Sequence, residues 1–290
     1  MAKYWETHPD SIWLYDPNFP LAIVATVLYA IPMFIQFWQS VFKYKSYYFI
    51  VVFLGALLEV GGYAVRAASI KDESSIPLYA VSSSFIVIAP LFVGAGDYLL
   101  ISRLCLRVLP SHHTHIYKIP VAKLTRIFVI CDIVTLLVQV NGSGIAASNN
   151  WEGNTVKIGE DVMIAGLAMQ LATFSIFFLI LAKFHLLTRR GVNEEAGRGW
   201  RGILVAVYFS SGMIIIRCIF RLAEFSQGIF GYPFTHEWMF YALEAVPMLP
   251  AIAVFCVWHP GKYFGAGGRR GGKGKRVLTE ILLTSSGSRV

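Results

Sequence analysis

Seven long apolar segments, a scarcity of charge, and Lys and Arg gathered on alternate connections predict an all-α fold: a polytopic integral membrane protein of seven transmembrane helices. Of the 290 residues, 56% are hydrophobic and 14% charged, whereas a soluble domain carries roughly 45–50% apolar and about 25% charged residues. That excess is too large for one buried core. The apolar runs are also long and broken by short polar pieces, unlike the short strands and Gly-rich turns of a soluble α/β protein.

A helix crossing about 30 Å of hydrocarbon needs about 20 mostly apolar residues. The segments Phe19 to Trp38, Tyr48 to Ile70, Leu78 to Ser102, Thr125 to Ala147, Val162 to Phe184, Ile203 to Glu224 and Trp238 to Trp258 meet this requirement. They form one transmembrane domain over 19–258, preceded by an N-terminal segment, 1–18, and followed by a tail, 259–290. The first 18 residues lack the basic-then-apolar pattern of a signal peptide, so the first helix is expected to direct insertion itself. Cys105, Cys131, Cys218 and Cys256 fall in apolar segments or at their cytosolic ends, which excludes a disulfide-stapled ectodomain.

Basic residues resist translocation and stay on the cytosolic side. One side of the predicted bundle holds Lys43 and Lys45, then Arg103, Arg107, Lys118, Lys123 and Arg126, then Lys183, Arg189, Arg190, Arg198 and Arg201, with seven more beyond Trp258, nineteen in all. The other holds Lys3, Lys71 and Lys157, together with Asp10, Asp16, Glu152, Glu160 and Asp161. The N-terminus is therefore expected outside and the C-terminus in the cytosol, and the net charge of +8 is mostly a by-product of this asymmetry. The stretch GAGGRRGGKGKR in the tail is open to two readings. It is a disordered end obeying the same rule, or a patch that binds anionic inner-leaflet lipid at about 1 kcal/mol per basic residue. No nucleic-acid partner is expected.

With the loops set aside, Glu59, Arg66, Asp97, Asp132, Arg217, Arg221, Glu224 and Glu244 remain inside the spans. At roughly 2.5–3.5 kcal/mol for a charge at a helix centre, such groups must face one another or a hydrated cavity. Glu59, Gly62, Tyr63 and Arg66 lie on one stripe of the second helix; Arg217, Arg221 and Glu224 do so on the sixth, and Glu237, Tyr241 and Glu244 on the seventh. Gln139, Asn141 and Gln170 on the fourth and fifth helices reach similar depths. Arg66, Arg217 and Arg221 balance Glu59, Glu224 and Glu244, the neutral set that burial demands. Two readings stand: salt bridges that lock helices 2, 6 and 7 together, or a cavity open to the outer leaflet that binds a polar or zwitterionic headgroup.

Asp97 and Asp132 form a separate set near the cytosolic ends of helices 3 and 4, as an inner gate, a proton-titrating site, or counter-charges to Arg103 and Arg126. Pro32, Pro90, Pro247 and Pro250 interrupt helices 1, 3 and 7 and favour kinks. Catalytic chemistry is missing. His8, His112, His113, His115, His185, His236 and His259 do not converge at one level as a zinc site requires, and neither a Gly-x-Ser-x-Gly elbow nor a phosphate-cradling Gly-x-x-x-x-Gly-Lys-Ser/Thr run is present. No enzyme activity, metal or cofactor is expected. The sequon at Asn141 lies within or too close to the fourth span for use.

Five patches together resemble one family. They are ExxGYxxR from Glu59 to Arg66; APLFVGAGDYLLISR from Ala89 to Arg103; DIVTLLVQVNGSG from Asp132 to Gly144; GLAMQ from Gly166 to Gln170 with FRLAEFSQG from Phe220 to Gly228; and EWMFYALEAVPM with WHPG at Trp258 to Gly261. In this order they are similar to the fungal lipid-translocating exporters, or RTA-like proteins, and they span helices 2 to 7. The resemblance implies a seven-helix protein of a fungal membrane, with a plasma-membrane location expected. It also implies export or transbilayer movement of amphiphiles such as sphingoid long-chain bases, and resistance to toxic amphiphiles, with some relatives linked to porphyrin or haem movement.

Two functions follow. In a translocator of cationic or zwitterionic amphiphiles, Glu59, Glu224 and Glu244 pair with an ammonium, while Arg66, Arg217 and Arg221 hold those acids ionised or contact phosphate. Tyr63, Gln139, Gln170 and Tyr241 complete that expected substrate site, and without an ATP site movement is passive or coupled to an ion gradient. The alternative is a seven-helix lipid or stress sensor, although Ile101-Ser102-Arg103 and the absence of Asn-Pro-x-x-Tyr in helix 7 depart from the G-protein-coupled pattern.

Overall fold

The first helix, α1 (Phe19–Trp38), shows how the sequence builds this protein. The Asn18 side chain accepts the Leu21 N–H at 3.1 Å and Pro20 occupies the first turn, two features that start a helix. Ala22, Ala25, Tyr29, Pro32, Met33 and Gln36 then form one buried stripe. Val24, Val27, Ile31, Phe34 and Trp38 are exposed on the opposite side. In water that second face would be a large apolar patch; in a bilayer it is the surface that lipid covers.

The computed structural model describes residues 13–108, 115–116, 119–147, 154–190, 199–228 and 231–267. After α1 and a π-helical turn (Gln39–Lys43) come α2 (Ile50–Lys71), α3 (Ile76–Val108), α4 (Val121–Ala147), α5 (Asn154–Arg190) and α6 (Trp200–Ser226). A composite α7 follows, running as Glu237–Phe240, a π turn at Tyr241–Ala245, and Val246–Val257, and then a short α8 (Pro260–Gly267). The described residues are helical apart from short connections and one antiparallel pairing of β1 (His115–Ile116) with β2 (Ile119–Pro120). Among the described residues, seven stretches are long and apolar enough to cross a membrane: Phe19–Lys43, Tyr47–Lys71, Ile76–Val108, Lys123–Ala146, Thr155–Thr188, Trp200–Ser226 and Glu237–Phe264. Each overlaps one predicted span, and the third runs on to Val108 rather than stopping at Ser102. The basic tail beyond residue 267, residues 1–12 and His112 and His113 lie outside the described residues.

Consecutive helices pack on one another, α1 returns against α7, and α3 also meets α6, which places α3 inside the bundle. Its inner positions are accordingly small or fully buried, among them Ala89, Val93, Gly94, Gly96, Tyr98, Leu100 and Ile101. At one end, the α1–α7 seam is tied by Gln36 donating to the Ile252 carbonyl at 2.8 Å, Gln39 donating to the Cys256 carbonyl at 3.0 Å, and Ser40 bonding His259 at 3.2 Å. These bonds satisfy polar groups that hydrocarbon could not.

The α4–α5 seam depends on close backbone approach. A Cβ at Gly159 would stand 2.5 Å from the Ala146 nitrogen and 2.6 Å from the Gly142 carbonyl oxygen. Small residues at such a crossing let membrane helices gain packing where no hydrophobic effect drives them together. Gly159→Ala is therefore expected to destabilise the bundle by about 1–3 kcal/mol, seen as a lowered melting temperature of the purified protein in detergent. Gly144→Ala, whose Cβ meets nothing within 4 Å, is expected to melt like the parent chain.

Candidate functional site

The polar stripes of α2, α6 and α7 meet at one end of the bundle because α2 and α6 approach that end with their C-terminal halves and α7 starts from it. Its centre is Arg217. The guanidinium donates from Nη2 to Glu244 Oε1 at 2.6 Å and to the Ile86 carbonyl at 2.8 Å, and both side chains are buried. Glu244 Oε2 faces Arg221 Nε at 3.9 Å, and Arg221 Nη1 donates to Glu224 Oε2 at 2.8 Å. The result is a chain of alternating charge, Arg217–Glu244–Arg221–Glu224, of which Arg221 is the most exposed member at 17%.

Glu244 reaches Arg217 from the π turn of α7, where the Val246 N–H bonds the Tyr241 carbonyl. The widened turn leaves Tyr241, Glu244 and Ala245 all buried, and such turns recur at functional sites. Pro247 follows directly. The Tyr29 hydroxyl donates to the Ala245 carbonyl at 2.6 Å, so α1 supports the same irregular turn.

A second assembly caps this end. Arg66 donates from Nη2 to the Tyr15 hydroxyl at 2.6 Å and from Nε to the Tyr241 hydroxyl at 3.3 Å, with Glu237 Oε1 at 3.7 Å. Its guanidinium lies 4.1 Å from the Phe240 ring centre and 4.6 Å from that of Trp13. Cation–π contacts of this desolvated kind are worth about 2 kcal/mol or more. Glu237 Oε2 also accepts the Asn18 N–H at 2.9 Å. The segment from Trp13 to Asn18 is thus strapped across α2 and α7. Burial pushes the Tyr15 phenol well above its ordinary value, against the opposite pull of Arg66.

Two turns before Arg66 on α2 stands Glu59. It is 0% exposed, and neither carboxylate oxygen has a hydrogen-bond partner or an ion pair within 4 Å among the described residues. The ring ladder Tyr29–Tyr63–Tyr241 runs beside it, with centroids 5.3 and 6.2 Å apart, and the Tyr63 hydroxyl is likewise buried without a partner.

The stripe spacing brings Glu59, Tyr63, Arg66, Arg217, Arg221, Glu224, Tyr241 and Glu244 to one end, but their partners differ from the charge balance read in sequence. Glu237 takes Arg66, Glu244 takes Arg217 and Glu224 takes Arg221, which leaves Glu59 as a fourth acid against three arginines. Gln139 and Gln170 bond each other at 2.9 Å across the α4–α5 seam. The same seam crowds the Gln139 side chain against Gly166. Trp13 and Tyr15, aromatic residues before the first span, were missed because a polar N-terminal segment carries no periodicity that would place it on the bundle.

Asp97 and Asp132 lie deeper in their helices than expected. They do not sit at helix ends, because α3 continues to Val108 and α4 begins at Val121, which leaves both well inside their helices. Asp97 accepts from Ser211 of α6 at 3.1 Å and Asp132 accepts from Tyr98 at 2.8 Å. Neither forms an ion pair with Arg103 or Arg126, and Arg103 lies instead 3.5 Å from the Tyr48 ring centre. Among the described residues no group of three or more His, Cys, Asp or Glu is arranged to hold a metal ion. A wholly apolar groove of about 490 Å³, lined by residues including Val51, Phe92, Leu99 and Val129, opens between α2, α3 and α4 toward the opposite end.

Removing one member of a buried ion pair strands the other at a cost of about 3–5 kcal/mol. Arg217→Met is therefore expected to lower the melting temperature sharply, and Glu244→Gln in the same chain to recover most of the loss. Arg66→Ala is expected to release the strap, detected as faster amide hydrogen exchange across Trp13 to Asn18 while the α4–α5 seam remains protected.

Residues 52–267 match the family model described as RTA1 like protein. The probable lipid transporter atnI of Emericella nidulans is 27% identical over 263 residues, covering 87% of this chain and 68% of that protein. Protoporphyrin uptake protein 1 of Saccharomyces cerevisiae is 30% identical over 219 residues, covering 75% and 69%. The sphingoid long-chain base transporter RSB1 of Saccharomyces cerevisiae is 28% identical over 289 residues, covering 86% and 73%. No solved structure matches the chain significantly. With the matched region running from α2 through α8 and taking in every ionic residue of the cluster, the chain belongs to the RTA1-like family of seven-helix membrane proteins.

Proposed function

We propose that this multi-pass membrane protein moves amphiphilic lipids across the bilayer, with sphingoid long-chain bases or related cationic and zwitterionic amphiphiles as substrates, and that it thereby contributes to lipid export and resistance to toxic amphiphiles. The observation that carries this reading is the surplus carboxylate. The ionic cluster at the strapped end holds three matched pairs and one acid, Glu59, with no basic partner. A buried site with one carboxylate too many is complementary to a ligand that brings one positive charge. The relatives named as a sphingoid long-chain base transporter and a probable lipid transporter supply the matching chemistry.

In this reading Glu59, with Tyr63 and Glu244 beside it, receives the ammonium. Arg221 and Glu224, at the more exposed edge, meet the polar remainder of the headgroup, and the hydrocarbon tail lies between helices. Arg66 and Tyr241 hold the strap from Trp13 to Asn18 over the site as its outer cover. Gln139 and Gln170 border the path from the α4–α5 side, and Asp97 and Asp132 act as an inner gate midway through the bundle. The strapped end faces the exterior and the C-terminus the cytosol, as the Lys and Arg distribution favours. The plasma membrane is the proposed location, with the basic tail against anionic inner-leaflet lipid.

A second reading takes support from the relative named as a protoporphyrin uptake protein. A porphyrin brings carboxylates, which Arg221 at the exposed edge would receive in place of an ammonium at Glu59. Both readings are separated by reconstitution into liposomes. Purified protein is expected to speed transbilayer movement of a labelled long-chain base, and Glu59→Gln to slow it at least tenfold. Movement at the parent rate in both Glu59→Gln and Glu244→Gln would exclude this site, and stabilisation of the protein by protoporphyrin alone would favour the second reading.

A further inference from the structure

We infer that Glu59 is an ion-exchange group: its carboxyl holds a proton while the site is empty and releases it when the ammonium of a cationic amphiphile arrives, so that one proton is exchanged for one headgroup. The inference rests on the amphiphile reading above and adds the ion that travels in the opposite direction.

The geometry around the carboxyl supports this. From its own helix comes Tyr63, one turn on, whose hydroxyl is buried without a partner. From α1 comes Tyr29, whose hydroxyl is committed to the Ala245 carbonyl. From α6 comes Arg217, already bonded to Glu244 and to the Ile86 carbonyl, and from α7 comes Glu244 itself, closing that pair. From α3 come the Ile86 backbone and apolar Val93, packed against Gly62 and Gly55. The charges facing Glu59 therefore cancel without it. An ionised carboxylate there would be a buried charge that accepts no hydrogen bond from the described residues, a state that costs several kcal/mol even after relaxation. The uncharged acid does not carry that cost.

An ammonium changes the balance. Bound beside Glu59, it stabilises the carboxylate, and the proton passes from the carboxyl to water as the headgroup settles. The net charge of the site is the same before and after, so the empty and loaded forms both satisfy the requirement that buried charge be paired. A proton gradient across the membrane then biases which face releases the amphiphile, and no nucleotide is needed.

The exchange is tested with the purified full-length chain and two probes. N,N,N-trimethylsphinganine carries a permanent positive charge and no titratable proton of its own; N-acetylsphinganine carries neither. Affinity for the quaternary probe is expected to rise tenfold per pH unit between pH 5 and the midpoint of the Glu59 titration, then level off, because one proton must leave for each probe bound. Binding in weak buffer should acidify the solution by one proton per complex. Affinity for N-acetylsphinganine should be flat across the same range. Glu59→Gln is expected to abolish the slope and weaken quaternary binding at least tenfold while retaining N-acetylsphinganine, which also reports that the variant is folded. Glu59→Asp, which keeps a carboxyl, is expected to keep the slope and carries the test if the Gln variant cannot be purified. A flat pH profile for the quaternary probe, an unchanged slope in Glu59→Gln, or dependence on sodium at fixed pH in place of proton release overturns the exchange while leaving the amphiphile site standing. Failure of the quaternary probe to bind at any pH overturns both.

Discussion

An ionised side chain surrounded by hydrocarbon has no water to return to, and the architecture of this bundle is organised around that constraint. Arg217 is matched by Glu244, Arg221 by Glu224 one turn on in the same helix, and Arg66 by Glu237, and the first and third matches each require a neighbouring helix at a particular height. α6 must stand beside α7 for the first, and α2 must reach the start of α7 for the third. Breaking such a pair is costlier than never having formed it, because the stranded charge remains buried. The pairs therefore contribute position more than net stability. They set which helices are neighbours at the strapped end, while the close α4–α5 crossing at Gly142 and Gly159 is left to packing.

Much of the fold was legible from hydropathy. An apolar run of twenty residues has one economical solution in a bilayer, so seven runs predict seven helices, and the observed helices overlap every one of them. Their ends were less legible. The third helix passes Ser102 and continues to Val108 because Leu104, Cys105 and Val108 bury themselves in the core even though Arg103 and Arg107 interrupt the hydropathy. Arg103 and Arg107 instead turn their guanidinium groups onto the rings of Tyr48 and Tyr263. A window average treats those arginines as a stop; the helix treats them as one polar face.

The candidate site was legible as a set of residues but not as a set of partners. Spacing of three, four and seven placed Glu59, Tyr63 and Arg66 on one face, and likewise Arg217, Arg221 and Glu224, and the structure keeps those faces. Counting charges could not reveal that Glu237, at the first turn of α7, would reach Arg66, since its position at a helix start reads equally well as a solvated end. Nor does a helical wheel anticipate the π turn at Tyr241–Ala245, which shifts the register of Glu244 relative to Glu237 and turns it toward Arg217. Gln139 and Gln170 share the depth of the cluster, but two amides satisfy one another across a tight seam. Depth in the membrane was a reliable guide to which groups need partners, and a poor guide to who those partners are.

The long sequence separation of these partners has a consequence for how the protein is made. Arg66 and Tyr241 are 175 residues apart, and at a synthesis rate of about 5–20 residues per second the seventh helix follows the second by roughly 9–35 s. During that interval α2 is present with Glu59 and Arg66 while Glu237, Tyr241 and Glu244 do not yet exist. A helix carrying such groups is tolerated in a nascent chain by snorkelling toward the interface or by remaining in a hydrated protein channel. The strapped end of the bundle can therefore be completed only once the last helix has been made, since the partners that Arg66 finds in Glu237 and Tyr241 come from that helix.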